Sequence, residues 1–185
     1  ADLPVKNFIV RGRPGSGKST TVSVVRERAR DLGLDVAGIV TPEIRVGGRR
    51  VGFEVVDIST GRREVFAHVK YTSPIRVSKY AVRVDLFDEV ATPALERALK
   101  ADLAIIDEIG KMELFSETFK RLVLEIADSH VLLVGTAPSY DLPFVNKLIN
   151  RADVKVYWVR RGESSAVAEM LLREIRTIVG RRATF

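Results

Sequence analysis

The sequence predicts an α/β fold, one doubly wound and mainly parallel sheet with an antiparallel hairpin extension. Three observations carry that expectation. Apolar runs without alternation, such as Leu103-Ala104-Ile105-Ile106 and Val131-Leu132-Leu133-Val134, read as strands covered on both faces. Between such runs lie segments whose apolar residues recur at helical spacing. One stretch breaks the pattern: Val51 to Val55 alternates with period two and is followed, after the turn formers Asp57 to Arg62, by the partly alternating Arg63 to Ala67. That predicts a β-hairpin. With 185 residues the chain suits one domain, residues 1–185, with a β insert at 44–85.

Taken in order, Leu3 to Arg11 holds the first strand. A helix from about Lys18 buries Val22, Val25, Ala29 and Leu32 and stops at Gly33. Val36 to Thr41 is a second strand, ended by Pro42. Beyond the hairpin, Tyr80, Val82 and Val84 alternate as a further strand. Thr92-Pro93 reads as the N-cap and first residue of a helix buried through Ala94, Leu95, Ala98 and Leu99. The strand Leu103 to Ile106 runs into Asp107-Glu108, and Ser116 caps a helix with Phe119, Leu122, Val123, Ile126 and Ala127 at core spacing. The strand Val131 to Val134 ends on Gly135-Thr136, and Pro143 to Ile149 is a short helix. Val154 to Val159 is the last strand, with Trp158 as a core residue. Ser164 or Ser165 caps a final helix with Val167, Met170, Leu171, Ile175 and Ile178 inward and Gly180 as its stop.

The chemistry centres on Gly12-Arg13-Pro14-Gly15-Ser16-Gly17-Lys18-Ser19-Thr20, which fills every fixed position of the phosphate-binding template G-x-x-x-x-G-K-[ST]. The required context is present, a strand before and a helix after. Loop amides and the positive helix end then converge on one anion. Lys18 would reach the β- and γ-phosphates, and Ser19 would offer its hydroxyl to Mg²⁺. The motif implies nucleoside triphosphate binding and leaves its use open.

Asp107-Glu108, after an apolar strand, has the Walker B arrangement. Asp107 would hold Mg²⁺ directly or through water, and Glu108 would orient and deprotonate an attacking water. An acid in that place favours hydrolysis over transfer to a second substrate. Lys111 could meet charge developing on the γ-phosphoryl group, or be a surface lysine; spacing alone leaves both open. Thr136 could bond phosphate or water, or serve the strand end. Arg160 and Arg161 follow the last strand, where they could stack on a base or form a solvated turn. His68 and His130 have no partners at metal-ligand spacing and read as structural.

The chain carries +6 net charge and no cysteine. The basic pairs Arg49-Arg50, Arg62-Arg63, Arg160-Arg161 and Arg181-Arg182 are scattered and not interleaved with aromatics. This fits an anionic small molecule better than a nucleic-acid platform. The first residues lack the apolar core of a signal peptide, and no apolar run approaches a membrane span. A cytoplasmic setting is expected.

The run Asp107-Glu108-Ile109-Gly110-Lys111-Met112-Glu113-Leu114-Phe115 resembles the signature of a family of small nucleoside-triphosphatases known from thermophilic microbes, with a human cancer-related member. Gly52-Phe53 with Asp57, then Thr60-Gly61-Arg62, and Val134-Gly135-Thr136 are similar to further blocks of that family. The resemblance covers nearly the whole chain. It implies a RecA-like fold and slow, Mg²⁺-dependent hydrolysis of several nucleoside triphosphates, and it favours Glu108 and Lys111 as the catalytic pair. With Lys111 in place of a trans-acting arginine, a monomer is expected. Two alternatives stand beside it. In a nucleotide or small-molecule kinase, Arg45, Arg49, Arg50, Arg62 and Arg63 of the insert would bind a second phosphorylated substrate, although no arginine-rich lid follows the Walker B strand. A nucleic-acid-stimulated ATPase would show steep salt dependence.

Overall fold

The computed structural model describes residues 4–184. Five parallel strands form the centre of the sheet: β1 (Asn7–Gly12), β2 (Val36–Val40), β8 (Leu103–Asp107), β9 (Leu132–Pro138) and β10 (Val154–Trp158), side by side in the order β10-β1-β9-β8-β2. The loop-bearing strand β1 and the Asp107 strand β8 are thus separated by β9. Leu3, expected in the first strand, lies outside the described residues.

Beyond β2 the sheet turns antiparallel through β4 (Arg49–Asp57), β5 (Arg63–His68), β7 (Tyr80–Val82) and β6 (Arg76–Val77), while β3 (Glu43–Val46) pairs with β4. The hairpin β4–β5 is as the alternation predicts. The second hairpin, β3–β4, turns at Gly47-Gly48, both at positive φ. It escapes a periodicity reading because three of its four β3 residues are exposed.

Helices cover both faces. On one lie α1 (Lys18–Asp31) and α5 (Ser164–Ala183), packed on Phe8, Val10, Ile105 and Val134. On the other, α2 (Val84–Ala98), α3 (Glu117–Asp128) and α4 (Pro143–Ile149) pack on Ile9, Ile39, Ile106 and Leu133. Successive strand residues thus feed opposite cores, which is why these strands are apolar without alternation.

Several local expectations are corrected. α2 begins at Val84, and Pro93 lies inside it. The buried Phe87, Val90 and Ala91 extend the apolar face upstream of the proline and outweigh the local break. α5 runs through Gly180 to Ala183, and no side chain caps its start; the Ser164 hydroxyl instead donates to the Gly17 carbonyl, 3.1 Å away. Met170 and Trp158 are exposed, with Ala168 and Leu172 taking inward places on α5. Trp158 closes β10, the edge strand of the sheet. Ser116 caps α3 as expected, accepting from the Phe119 amide at 3.0 Å.

Candidate active site

The carboxyl ends of β1, β8 and β9 meet at one cleft of about 690 Å³. Its lining includes Arg13 through Thr20, Asp107 and Glu108, with Ser139 and Tyr140 beyond β9 and Glu43, Arg50 and Phe53 from the extension. The loop wraps back because Gly15 and Gly17 adopt positive φ, and Gly17 at φ 101° starts α1 as a left-handed cap. Among the described residues the buried Ser16 hydroxyl has no hydrogen-bond partner, an unmet polar group within the glycine loop.

Lys18 donates to the Gly12 carbonyl at 2.7 Å and lies 3.8 Å from Glu108 Oε2. Asp107 Oδ1 accepts from the buried Thr136 hydroxyl at 2.7 Å. Thr136 therefore orients the carboxylate. The peptide between Asp107 and Glu108 is cis. The Glu108 amide donates to Thr41 Oγ1 at 3.2 Å, and the same hydroxyl lies 2.8 Å from Glu113 Oε2 and 3.1 Å from the Asp107 carbonyl oxygen.

Burial raises the Glu108 carboxyl above its ordinary range, Lys18 draws it back, and the Asp107 charge adds to the rise. Glu113 is buried and pushed up to about 8, first by burial and then by the neighbouring Glu108 charge. A carboxyl raised by burial beside Lys18 is a better proton acceptor than an ordinary one.

The loop, Lys18, Ser19, Thr20, Asp107 and Glu108 are brought together. Gly12 is buried under the loop and lines only the neighbouring cavity. Lys111 is not; it is exposed on the turn after β8 and does not line the cleft. Arg160 is exposed too, and lines that second cavity, of about 770 Å³, on the other flank of the loop with Trp158, Arg161, Ser139 and loop residues from Gly12 to Ser16. The Arg11 guanidinium sits 5.2 Å from the Trp158 ring centre. Sequence reasoning missed Thr41, Glu113 and Trp158 as site residues, and gave Arg50 only to the second substrate of a kinase. Glu113 stood within the signature run, and its acid type was the only available signal. The others become visible only when the sheet order is known.

A family model described as NTPase matches residues 7–172. The nucleoside-triphosphatase THEP1 of Korarchaeum cryptofilum is 42% identical over 173 residues, spanning 93% of this chain and 88% of that protein. THEP1 of Methanothermobacter thermautotrophicus is 48% identical over 153 residues, 82% of this chain and 86% of that one. The crystal structure of THEP1 from the hyperthermophile Aquifex aeolicus superposes with a TM-score of 0.81 at 33% identity, covering 91% of this chain and 98% of that chain. The solution structure of a human cancer-related nucleoside triphosphatase does so at 0.80 and 32%, covering 94% and 98%. The match of the family model over residues 7–172 and relatives along nearly the full length, on a sheet whose glycine-loop strand and Asp107 strand are separated by one strand, place the chain in this NTPase family.

Proposed function

We propose that the chain is a nucleoside-triphosphatase, a hydrolase that converts nucleoside triphosphates to diphosphates and phosphate, slowly and with little regard for the base. The observation that carries this reading is the approach of Lys18 to Glu108, 3.8 Å apart in a cleft that Ser19 and Asp107 also line. The names of its relatives support it.

In this reading the loop amides, Ser16 and Lys18 hold the phosphates. Glu108 takes a proton from water as the water oxygen bonds to the γ-phosphorus. The bond from that phosphorus to the bridging oxygen breaks, and its electron pair leaves with the diphosphate. Lys18 meets the negative charge on the transferring group. Lys111 can assist only by folding its exposed side chain back over the cleft.

The donor set fits Mg²⁺. One hydroxyl (Ser19) and one carboxylate (Asp107), whose Oδ1 is oriented by Thr136, are hard oxygen donors that phosphate oxygens and water would complete. Bound there, Mg²⁺ would supply charge neutralisation on the phosphates. Among the described residues no three acidic or imidazole side chains cluster as a self-sufficient metal site, which suits an ion that arrives with its nucleotide.

The second cavity would take the nucleoside end, with Trp158 offering a π face and Arg160 a cation, neither of which selects one base. Arg62 and Arg63 each face a carboxylate, which weakens the case for nucleic acid. We further infer one domain, acting as a cytoplasmic monomer, from a chain that has no cysteine and supplies its own cations to the cleft. Among the described residues no helix is long and apolar enough to cross a membrane.

The test is phosphate release from ATP, GTP, CTP and UTP with Mg²⁺, with and without acceptor nucleosides and monophosphates. Release from all four, unchanged by acceptors, is the expected result. Transfer to one acceptor with little free phosphate would make the chain a kinase.

A further inference from the structure

The extension adds a third cation to the cleft, beside Arg13 and Lys18. Arg50 is the second residue of β4, after the Gly47-Gly48 turn, and with Phe53 it lines the cleft that holds Lys18, Asp107 and Glu108. Its guanidinium is seated rather than loose. Nε donates to the Tyr80 hydroxyl at 3.0 Å, and the carbon of the guanidinium lies 5.5 Å from the Phe53 ring centre and 5.8 Å from that of Tyr80. The two rings meet edge to face at 5.3 Å, a fixed aromatic corner.

The donors of this guanidinium are only partly used. Nη1 is 3.5 Å from Glu43 Oε2, at the outer limit of a hydrogen bond. Glu43 is held more closely by Arg45, at 2.6 Å. Nη2 has no hydrogen-bond partner among the described residues. A planar fork with free donors matches phosphate oxygens better than an ammonium does. Its aromatic seat also limits the rotamer freedom lost on binding. Arg50 and Lys111 are both exposed, and of the two Arg50 lines the cleft.

We propose that Arg50 grips the terminal phosphate of the bound nucleoside triphosphate and stabilises the charge on it as its bond to the diphosphate breaks. The antiparallel extension is then the arm that brings this catalytic arginine to the cleft from the same chain. The proposal rests on the reading that the cleft holds a triphosphate, and it makes the insert part of the hydrolytic site rather than a seat for a second substrate.

The experiment compares wild type with Arg50→Gln and Arg50→Lys. ATP turnover with Mg²⁺ is measured together with equilibrium binding of ADP and of the non-hydrolysable imido analogue of ATP. Arg50→Gln should lower kcat by roughly 10²-fold. It should weaken the imido analogue about tenfold while leaving ADP binding unchanged, with Arg50→Lys falling between. Should Arg50→Gln melt early, Arg50→Lys gives the same readouts on a charge-preserving change. A folded variant that turns over ATP at the wild-type rate, or that loses ADP and the analogue equally, would overturn the proposal. If wild type releases no phosphate the hydrolysis reading fails, yet the ratio of analogue to ADP affinity still decides whether Arg50 meets the third phosphate.

Discussion

Glu108 lines the cleft and Glu113 is buried beside it, with Gly110 close to both carboxylates. With a proton on Glu113, that carboxyl can donate to Thr41 Oγ1, which gives its own proton to the Asp107 carbonyl and still accepts the Glu108 amide. Every polar atom of this small network is then satisfied, which ties the backbone at Glu108 to a neutral Glu113. The folded-state value near 8 lies above the ordinary 4.5, so the folded chain holds this proton when the unfolded chain has lost it. The associated stability is complete below 4.5 and is lost as pH climbs towards 8. Glu113→Gln cannot ionise. Denaturant titrations of wild type and variant at pH 5 and pH 8 should therefore show the stability gap moving in the variant's favour, by on the order of 1 kcal/mol per pH unit. A gap independent of pH would mean that Glu113 is ionised in the fold. Gly110 gives a sharper probe of the same carboxylates. A Cβ there would stand 2.6 Å from Glu108 Oε1 and 2.9 Å from Glu113 Oε1. Both are ends of flexible side chains, so Gly110→Ala should leave the melting temperature within a few degrees while reducing turnover. Unchanged turnover in that variant would show that the Glu108 carboxylate need not be where the structure places it.

At the scale of elements, strand β10 carries the flank of the loop that would meet the nucleoside. Trp158→Ala should raise KM for ATP and for GTP alike, roughly tenfold, with kcat little changed, since stacking is worth about 1–3 kcal/mol and does not distinguish bases. Equal KM values in steady-state assays of variant and wild type would remove Trp158 from the site. The start of α3 offers a test of folding alone. Ser116→Ala removes the cap on the Phe119 amide and the bond to Asp88, and should lower stability by about 1–2 kcal/mol in chemical denaturation without changing nucleotide affinity. What was legible in the sequence follows the same physics. The glycine loop, its flanking strand and helix, and Asp107-Glu108 are local patterns, and each is found in its expected element. The misreadings are tertiary. Pro93 sits within a helix because Phe87 and Val90 already commit that segment to the core. Gly180 sits within another because Ile175 still packs below it. Trp158 is exposed because its strand is the sheet edge, a fact of strand order that no local window contains.

For the molecule as a whole, the order β10-β1-β9-β8-β2 decides which residues meet. It brings Gly12, Asp107 and Thr136, distant in sequence, to one edge of the sheet, where ligands of open α/β folds bind. The antiparallel strands beyond β2 lengthen that edge and carry Arg50 to the cleft, while β10 on the opposite side carries Trp158 and Arg160 to the loop's other flank. In the proposed reading the glycine loop is a ridge, with the Glu108 cleft for hydrolysis on one side and the Trp158 cavity for the nucleoside on the other. The place of Arg160 after the last strand was legible in the sequence; that Arg50 shares a cleft with Lys18 was not, because it depends on which strands are neighbours. The central claim is that Glu108 activates water for attack on a triphosphate held by the loop. Its most direct test is the single-turnover rate of Glu108→Gln with bound ATP and Mg²⁺, measured beside the affinity for ATP. The account predicts near wild-type affinity with a rate lower by about 10²-fold or more; a variant that binds ATP and cleaves it at the wild-type rate would contradict it.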